Sequence, residues 1–522
     1  MFGSSGRCLC GNLEFNGRDG GIGALSRRGL VWSEMFCSVS RRGGLVMMNR
    51  AHSPLALMLS PQVLTVGAVL TSAISFFSSN AALWIFSLVA LAVAVLIAGG
   101  TKGYPALLWV VGFFWLAVAG DLGAADLQGL SIADGLLGSY RDEAILYSLC
   151  AMIVLAFGMR IGVVLGQAVF GSPSAAYDLG PVTAGQRASF GQLLIFYALS
   201  VVFSDAVSVL AWSVPSLTQP LLAFTLVEYV LLFLVASAVF ETGRGYAWLV
   251  AVIIVGMGSG MIGFWSNFKE PVFIVLIALV SISRRFNVIH WAIGIIAFAA
   301  VVWVSLVWIA IKDEYRADII TLPIGERAAW LFDNYTTGPT DYSITNTKLL
   351  ERIGYTKLFS LVLEADNNGS LITDSHFYQN AVMHIIQPRV IFTDKPALND
   401  SPITERLVQW KIGAGTSIGV GFVTQAYVDF GFPGLLIPLG FMGLMAGYVV
   451  QYFMTRRLPT VVCQALTVAV LFLNFRFETD IDKMLGGFVT DVIAMGLVAK
   501  FVFPVMLDWL QGAPIQNLER LP

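Results

Sequence analysis

From Pro61 to Phe503 the chain is a succession of apolar segments separated by short polar loops. Lipid cannot satisfy backbone N–H and C=O groups, so apolar segments of about 20 residues cross a membrane as helices. The chain is 57% hydrophobic and only 12% charged, roughly half the charged fraction of a soluble protein. The sequence therefore predicts an all-α polytopic membrane protein. Twelve spans are expected, at residues 61–78, 81–99, 105–120, 143–169, 192–213, 219–240, 246–265, 270–283, 288–311, 432–454, 459–475 and 485–506.

Positive charge is distributed unevenly among the short loops. Loops rich in Lys and Arg usually stay in the cytoplasm. With the N-terminus inside, the inner side holds Lys102, Arg160, Arg187, Arg244, Arg284, Arg285, Arg456 and Arg457. The short outer loops hold Arg141, Lys269, Arg476 and Lys483, which their acidic residues outnumber. This asymmetry predicts that both termini are cytoplasmic and that the long polar block is external.

The charge distribution divides the chain into five regions. We predict a cytoplasmic polar tail at 1–53, spans 1–9 within 54–311, a large external loop at 312–431, spans 10–12 within 432–506, and a cytoplasmic tail at 507–522. A translation start at Met47 or Met48 is an alternative for the N-terminal tail. The loop holds 10 of the 31 Lys and Arg residues and 14 of the 33 acids, so it is where we expect the chemistry.

The composition of this loop excludes several kinds of site. The loop contains no cysteine, because the five cysteines of the chain are Cys8, Cys10, Cys37, Cys150 and Cys463. A disulfide, a cysteine nucleophile and a thiolate metal site are therefore excluded there. No cofactor and no metal site is predicted, and no basic run suggests a nucleic-acid partner.

The loop is predicted to be folded, because it is rich in aromatic residues and disordered spacers are not. Apolar periodicity predicts a helix over 349–363 and a second over 376–386, which Pro388 ends. Ser401 and Pro402 form an N-cap and first-turn pair for a third helix reaching Trp410. Several short helices over one mouth of a bundle are the expected arrangement.

Cationic residues recur along the loop, and guanidinium and ammonium groups bind phosphate oxygens. Pro388 and Pro396 bracket a short apolar run that carries Arg389 and Lys395 near its ends. A glycine-rich return to the membrane follows over 413–421, which permits close backbone approach to a ligand or simple helix packing. For each single cation, pairing with the loop's acids on a solvated surface is the competing interpretation.

The C-terminal third of the loop resembles the O-antigen, or oligosaccharide repeat-unit, polymerases of the Wzy type. The resemblance rests on the Pro-Arg…Lys-Pro segment 388–396, on Thr416-Ser417-x-Gly419, and on Tyr427-x-x-Phe430-Gly431-x-x-Gly434. It covers about residues 315–455. The chain has Gln425 where family members often carry an acid, which puts an acidic catalytic role there in doubt.

The resemblance implies a helical bundle related to the GT-C class in a bacterial inner membrane. The implied reaction polymerises oligosaccharide repeat units linked to undecaprenyl pyrophosphate, by glycosyl transfer on the outer face and without a metal. Its partners would be this lipid-linked oligosaccharide, the bilayer and a chain-length regulator. Arg352, Arg389 and Lys395 are the expected pyrophosphate ligands.

The general base is less sharply defined by the sequence. His384 is the first candidate because imidazole is the usual base near neutral pH, and Asp429 is the acidic alternative. His376 is a further histidine of the loop, and Asp121 and Asp126 offer carboxylates in an earlier outer loop. A structural role is the competing interpretation for each histidine.

Two other functions remain open from the sequence. A transporter or flippase of lipid-linked sugars would bury charged residues within its spans, and Glu228, Asp205 and Arg160 are the candidates. A GT-C monosaccharide transferase would share the fold and add single sugars.

Overall fold

The computed structural model of the protein describes residues 78–99, 104–132, 140–172, 190–262, 267–281, 288–339, 341–371, 375–387, 392, 400–411 and 418–511. Several predicted features lie outside the described residues. These are most of the first span at 61–78, the N-terminal tail, most of the C-terminal tail, Arg389, Lys395 and the glycine-rich run 413–417. The described part of the chain contains helices, turns and bends, and no β-strand.

In the part of the chain that the structure describes, nine α-helices precede the polar block. They are α1 (Ala81–Ile97), α2 (Pro105–Leu127), α3 (Tyr140–Phe170), α4 (Phe190–Ser213), α5 (Thr218–Thr225), α6 (Val227–Thr242), α7 (Tyr246–Ile262), α8 (Glu270–Val280) and α9 (Val288–Ala317). Helix α9 continues past the expected boundary at residue 311, because Tyr315 is fully buried against the ring of Trp308.

The polar block, called the insert below, contributes α10 (Ile324–Thr337), α11 (Tyr342–Ile353), α12 (Thr356–Asn367), α13 (Phe377–Ile386) and α14 (Asp400–Val408). The chain then returns through α15 (Phe422–Gly434), α16 (Leu436–Met454), α17 (Thr460–Asn474), α18 (Ile481–Leu497), a π-helical turn (Val498–Val502) and α19 (Phe503–Gln511).

Among the described residues, seven helical segments are long and apolar enough to cross a membrane. They correspond to α2, α3, α4, α5 with α6, α9, α16, and α18 with α19. Helices α1, α7, α8 and α17 also fall on expected spans but are shorter. The 11 residues of α8 extend about 16 Å, about half of the roughly 30 Å hydrocarbon core. The all-helical membrane architecture is thus confirmed, whereas the number twelve is not.

Helices α3 and α16 pack closely against each other, and glycines make the approach possible. Gly158, Gly162 and Gly166 recur every four residues on α3 and meet the backbone or Gln451 of α16. Gly443 and Gly447 of α16 meet the backbone of α3 in return. Small residues at this spacing let two membrane helices pack backbone to backbone.

The insert is attached to the bundle by a buried carboxylate of α2. Asp121 accepts hydrogen bonds from the Thr356 hydroxyl and from the Lys357 amide, the latter at 2.7 Å. Beside it Gly354 packs on Gly120 so closely that neither has room for a Cβ. In a continuous helix the Lys357 amide would bond the carbonyl of Ile353. The single helix predicted over 349–363 is therefore wrong, and the chain forms α11 and α12 instead.

Gly162→Ala should separate α3 from α16, because the added Cβ would overlap the carbonyl oxygen of Leu444. Overpacking of this kind costs about 1–3 kcal/mol, so the melting temperature in detergent should fall. Gly112→Ala is the matched control, since no atom lies within 4 Å of a Cβ at that position. Equal melting temperatures for the two variants would contradict the packing assignment.

Asp121→Ala should loosen the insert, because it leaves the Lys357 amide and the Thr356 hydroxyl without their acceptor. An unsatisfied buried donor costs about 1–3 kcal/mol. Limited proteolysis should then cut faster within residues 342–367 than in the wild-type protein. The exposed Asp318 supplies the control variant Asp318→Ala, for which no acceleration is expected.

Candidate functional site: a cationic cluster beneath the insert

Four cations project from two helices that pack against each other, α9 and α11. Lys312 and Arg316 lie four residues apart on α9, as do Lys348 and Arg352 on α11. Side chains at this spacing share one helix face. The charge of Arg352 acts directly on Lys312 and Arg316. Two helices thus present like charges to one another, an arrangement that an anion would stabilise.

Two further cations come from short loops of the bundle. Lys269 lies within reach of the charges of Arg352, Arg476 and Glu478. We call Lys269, Lys312, Arg316, Lys348, Arg352 and Arg476 the cationic cluster. The carboxylates within reach of these groups include Asp313, Glu270 and Glu478. The six cations outnumber these three carboxylates, so the cluster suits a phosphate or diphosphate group.

Arg476 is held by an ion pair and a ring. Its Nη2 donates to Glu270 Oε1 at 2.9 Å, and its Nε donates to the Phe472 carbonyl at 3.4 Å. The guanidinium carbon lies 5.1 Å from the centroid of the Phe472 ring. The second oxygen of Glu270 accepts the hydroxyl of Tyr229. A tyrosine of α6, a glutamate of α8 and an arginine after α17 are therefore joined.

Lys269 is half-buried in the turn that precedes α8. Its burial and the nearby Arg352 guanidinium lower the pKa of the Lys269 ammonium to about 8, although Glu478 and Glu270 oppose the shift. A lysine with such a pKa changes charge close to neutral pH, and a bound anion would favour its charged form.

The return from the insert pairs with the loop that carries Arg476. The Phe422 amide donates to the Thr479 carbonyl at 2.9 Å, and the Gly421 amide donates to Asp480 Oδ1 at 3.0 Å. Gln425 is buried, and its Oε1 accepts the Ile481 amide at 2.7 Å at the start of α18. At the position where the resembled family often has an acid, this chain uses a neutral acceptor to cap a helix.

Asp429, the acidic candidate base, belongs to α15, and its carboxylate contacts the N-terminus of α13. Its Oδ1 accepts the Phe377 amide at 3.0 Å and its Oδ2 accepts the Tyr378 amide at 2.8 Å. Carboxylates stabilise helix N-termini in this way, because the first amides have no partner within the helix. The geometry therefore gives Asp429 a structural task at the start of α13.

The other candidate bases belong to two helices, α13 and α2. His384 is half-buried in the last turn of α13, and His376 is exposed at the start of the same helix. Asp121 and Asp126 lie in α2 and not in a loop as the sequence predicted. Asp126 accepts hydrogen bonds from Ser78, Asn80 and Trp84, and Asp121 holds the insert, so both carboxylates have structural partners.

Of the three expected diphosphate ligands, the structure describes Arg352 and brings it into the cationic cluster. Sequence reasoning missed Lys269, Glu270 and Arg476, because it counted them only as loop charges. One sequence feature could have identified them, namely a cation and an acid close together at the end of an apolar segment. Lys269 and Glu270 stand in this way at the start of α8, and Arg476 and Glu478 follow α17. Among the described residues, no three His, Cys, Asp or Glu side chains are grouped as metal ligands.

Comparison of the chain with protein-family models, with curated proteins and with solved structures finds no match. The site therefore has to be interpreted from its own geometry.

Inorganic diphosphate should bind less tightly as the pH rises through about 8, because Lys269 loses its proton there. One linked proton changes affinity by at most about tenfold per pH unit. Isothermal titration between about pH 7 and about pH 9 would measure the slope around the pKa of Lys269. In Lys269→Arg the affinity for diphosphate should no longer fall because of residue 269, since a guanidinium stays charged over this pH range.

The two proteins experience the same ionisation of the diphosphate, so the difference between their slopes reports Lys269 alone. Identical slopes would show that Lys269 does not contact the anion.

Proposed function

We propose that the protein polymerises oligosaccharide repeat units that are linked to undecaprenyl pyrophosphate, as a membrane glycosyltransferase. The observation that carries the proposal is the cationic cluster around Arg352, which lies where the insert packs on the bundle. The resemblance of residues 388–434 to repeat-unit polymerases supports the same reaction, and a GT-C-related bundle of about twelve spans is part of the proposal. The product would be a surface polysaccharide such as an O-antigen, a capsule or an exopolysaccharide.

The proposed reaction is a displacement at a sugar carbon. The acceptor hydroxyl of one lipid-linked unit attacks the anomeric carbon of the growing chain, and the bond to the lipid diphosphate breaks. Negative charge develops on the departing diphosphate, which fixed cations stabilise. Arg352, together with Arg389 and Lys395, would bind the leaving group. His384 is the preferred general base, because imidazole is the usual base near neutral pH, and Asp429 is the acidic alternative.

The loop charges support an orientation for this reaction. The inner loops predicted from the sequence carry most of the loop arginines, which favours cytoplasmic termini and an external insert. We therefore propose that polymerisation occurs on the outer face of a bacterial inner membrane, with a chain-length regulator as partner.

A transporter of lipid-linked sugars is the second candidate, and Glu228 is the observation that favours it. This acid lies within the spanning segment Thr218–Thr242, close to Ser204, Asp205 and Glu270. Ionisable groups inside a membrane usually serve function. Purified protein in vesicles with a lipid-linked repeat unit separates the candidates: lengthened glycans indicate the polymerase, and changed sidedness without lengthening indicates the transporter. Addition of single sugars would indicate a monosaccharide transferase.

Arg352→Ala should shorten or abolish the product ladder in this assay. Removing one donor to a developing oxyanion costs about 3–4 kcal/mol, which is roughly a hundred- to thousandfold in rate. Arg389→Ala is expected to act in the same direction. Arg406→Ala is the matched control, because this exposed arginine of α14 lies outside the cationic cluster. Full-length polymer from Arg352→Ala at normal expression would refute its role.

A further inference from the structure

The side chain of Arg476 has a defined orientation and is still partly accessible to solvent. The bonds to Glu270 and to the Phe472 carbonyl use two of the five N–H donors of a guanidinium. Counting the bonds among the described residues, three donors remain for a ligand. The side chain retains 23% of its accessible surface. An arginine in this state presents a planar fork whose direction is fixed before a ligand arrives.

Glu270 is restrained in turn. Only 9% of its side-chain surface is accessible, and its two oxygens accept Arg476 and Tyr229 separately. A carboxylate bonded on both oxygens cannot rotate towards solvent without losing one partner. Tyr229 thereby fixes Glu270, and Glu270 fixes the guanidinium.

The charges around this chain of contacts favour an anionic ligand. Lys269 directly precedes Glu270, and Arg352 approaches Lys269 from the insert. Glu270 and Glu478 offset two of the three cations Lys269, Arg352 and Arg476, so one positive charge remains in excess. A pair that served only to close two helix ends would not need two additional cations beside it, since like charges placed together are unfavourable.

The pair is bonded to a segment that is long and apolar enough to cross a membrane. Tyr229 belongs to the segment Thr218–Thr242, and its hydroxyl bonds Glu270. The pair is therefore held by a spanning segment, and not only by loop residues. A phosphate group attached to a lipid stays beside the spanning segments, so it suits a pair that is held by one of them.

We propose that Arg476 and Lys269 form the diphosphate-binding subsite, and that Glu270 and Tyr229 are the positioning residues of Arg476. The ligand is a diphosphate, free or attached to a polyprenyl lipid. The assignment rests on the proposed function, in which a diphosphate is the leaving group, and it names residues beyond Arg352.

Binding of inorganic diphosphate to the purified protein in nanodiscs tests the subsite, with a polyprenyl diphosphate titrated in parallel. Arg476→Lys keeps the charge and loses the planar fork, so affinity should fall about tenfold or more. Arg456→Lys is the matched control. That guanidinium also stacks on a ring, 3.8 Å from the Tyr452 centroid, but it follows α16 at the helix end opposite to the insert. Unchanged affinity in Arg476→Lys would overturn the assignment.

The positioning role is tested at Glu270. Glu270→Gln keeps an oxygen for Arg476, and the Tyr229 hydroxyl can accept from its amide, so affinity should stay within about threefold of wild type. Glu270→Ala removes both contacts and should lower affinity about as much as Arg476→Lys. If Glu270 acted only through its charge, both substitutions would instead raise affinity to a similar extent. That result would overturn the positioning role.

Tyr229→Phe serves if Glu270→Ala fails to fold, because it removes one hydroxyl and keeps the ring. Its affinity for diphosphate should fall, by less than in Arg476→Lys, while its melting temperature stays near that of wild type. Wild-type affinity in Tyr229→Phe would contradict the proposed chain of contacts.

Binding and polymerisation are measured separately, so the two proposals fail separately. Arg476-dependent diphosphate binding without glycan lengthening would refute the polymerase and keep the subsite. Glycan lengthening that is unaffected by Arg476→Lys would refute the subsite and keep the polymerase. If only the polyprenyl diphosphate binds, and Arg476→Lys weakens it, the ligand is the lipid-linked form and the subsite stands.

Discussion

The bond from Asp121 to the start of α12 determines where the insert meets the bundle. A buried carboxylate needs partners, and here it takes a hydroxyl and a backbone amide from a segment 235 and 236 positions away in the sequence. Just before it, the Tyr355 amide leaves the helical pattern and donates to the Ala117 carbonyl of α2 at 3.2 Å. Arg352 lies in the last turn of α11, so the contacts that attach this junction to α2 also bring the arginine to the bundle.

Carboxylates elsewhere in the insert perform the same kind of task. Asp429 accepts two amides at the start of α13, and Asp341 accepts the Ile344 amide at the start of α11. These carboxylates accept helix amides at two helix N-termini. Although the insert holds more acids than cations, Lys312, Arg316, Lys348 and Arg352 come together on two packed helices, and this grouping suits an anionic ligand.

The sequence predicted what depends on neighbours in the chain and missed what depends on distant partners. Apolar length located α2, α3, α4 and α9, and Pro388 marked the end of α13, because these signals are local. The break at Gly354 depends on Asp121 in another helix. Likewise Arg476 and Glu270 are 206 positions apart, and nothing in either local segment specifies the other. Arg352 was predicted as a ligand from its residue type, while its companions were not.

The position of the cluster connects the two candidate functions that the sequence left open. Glu228, the intramembrane acid expected of a transporter, lies close to Glu270, and the adjacent Tyr229 bonds that same carboxylate. Glu228 thus lies beside the contacts that orient Arg476, while its own hydrogen bond goes to Ser204. A buried acid can serve group transfer by holding a cation in place, because the guanidinium then needs little reorganisation when charge develops on the leaving group.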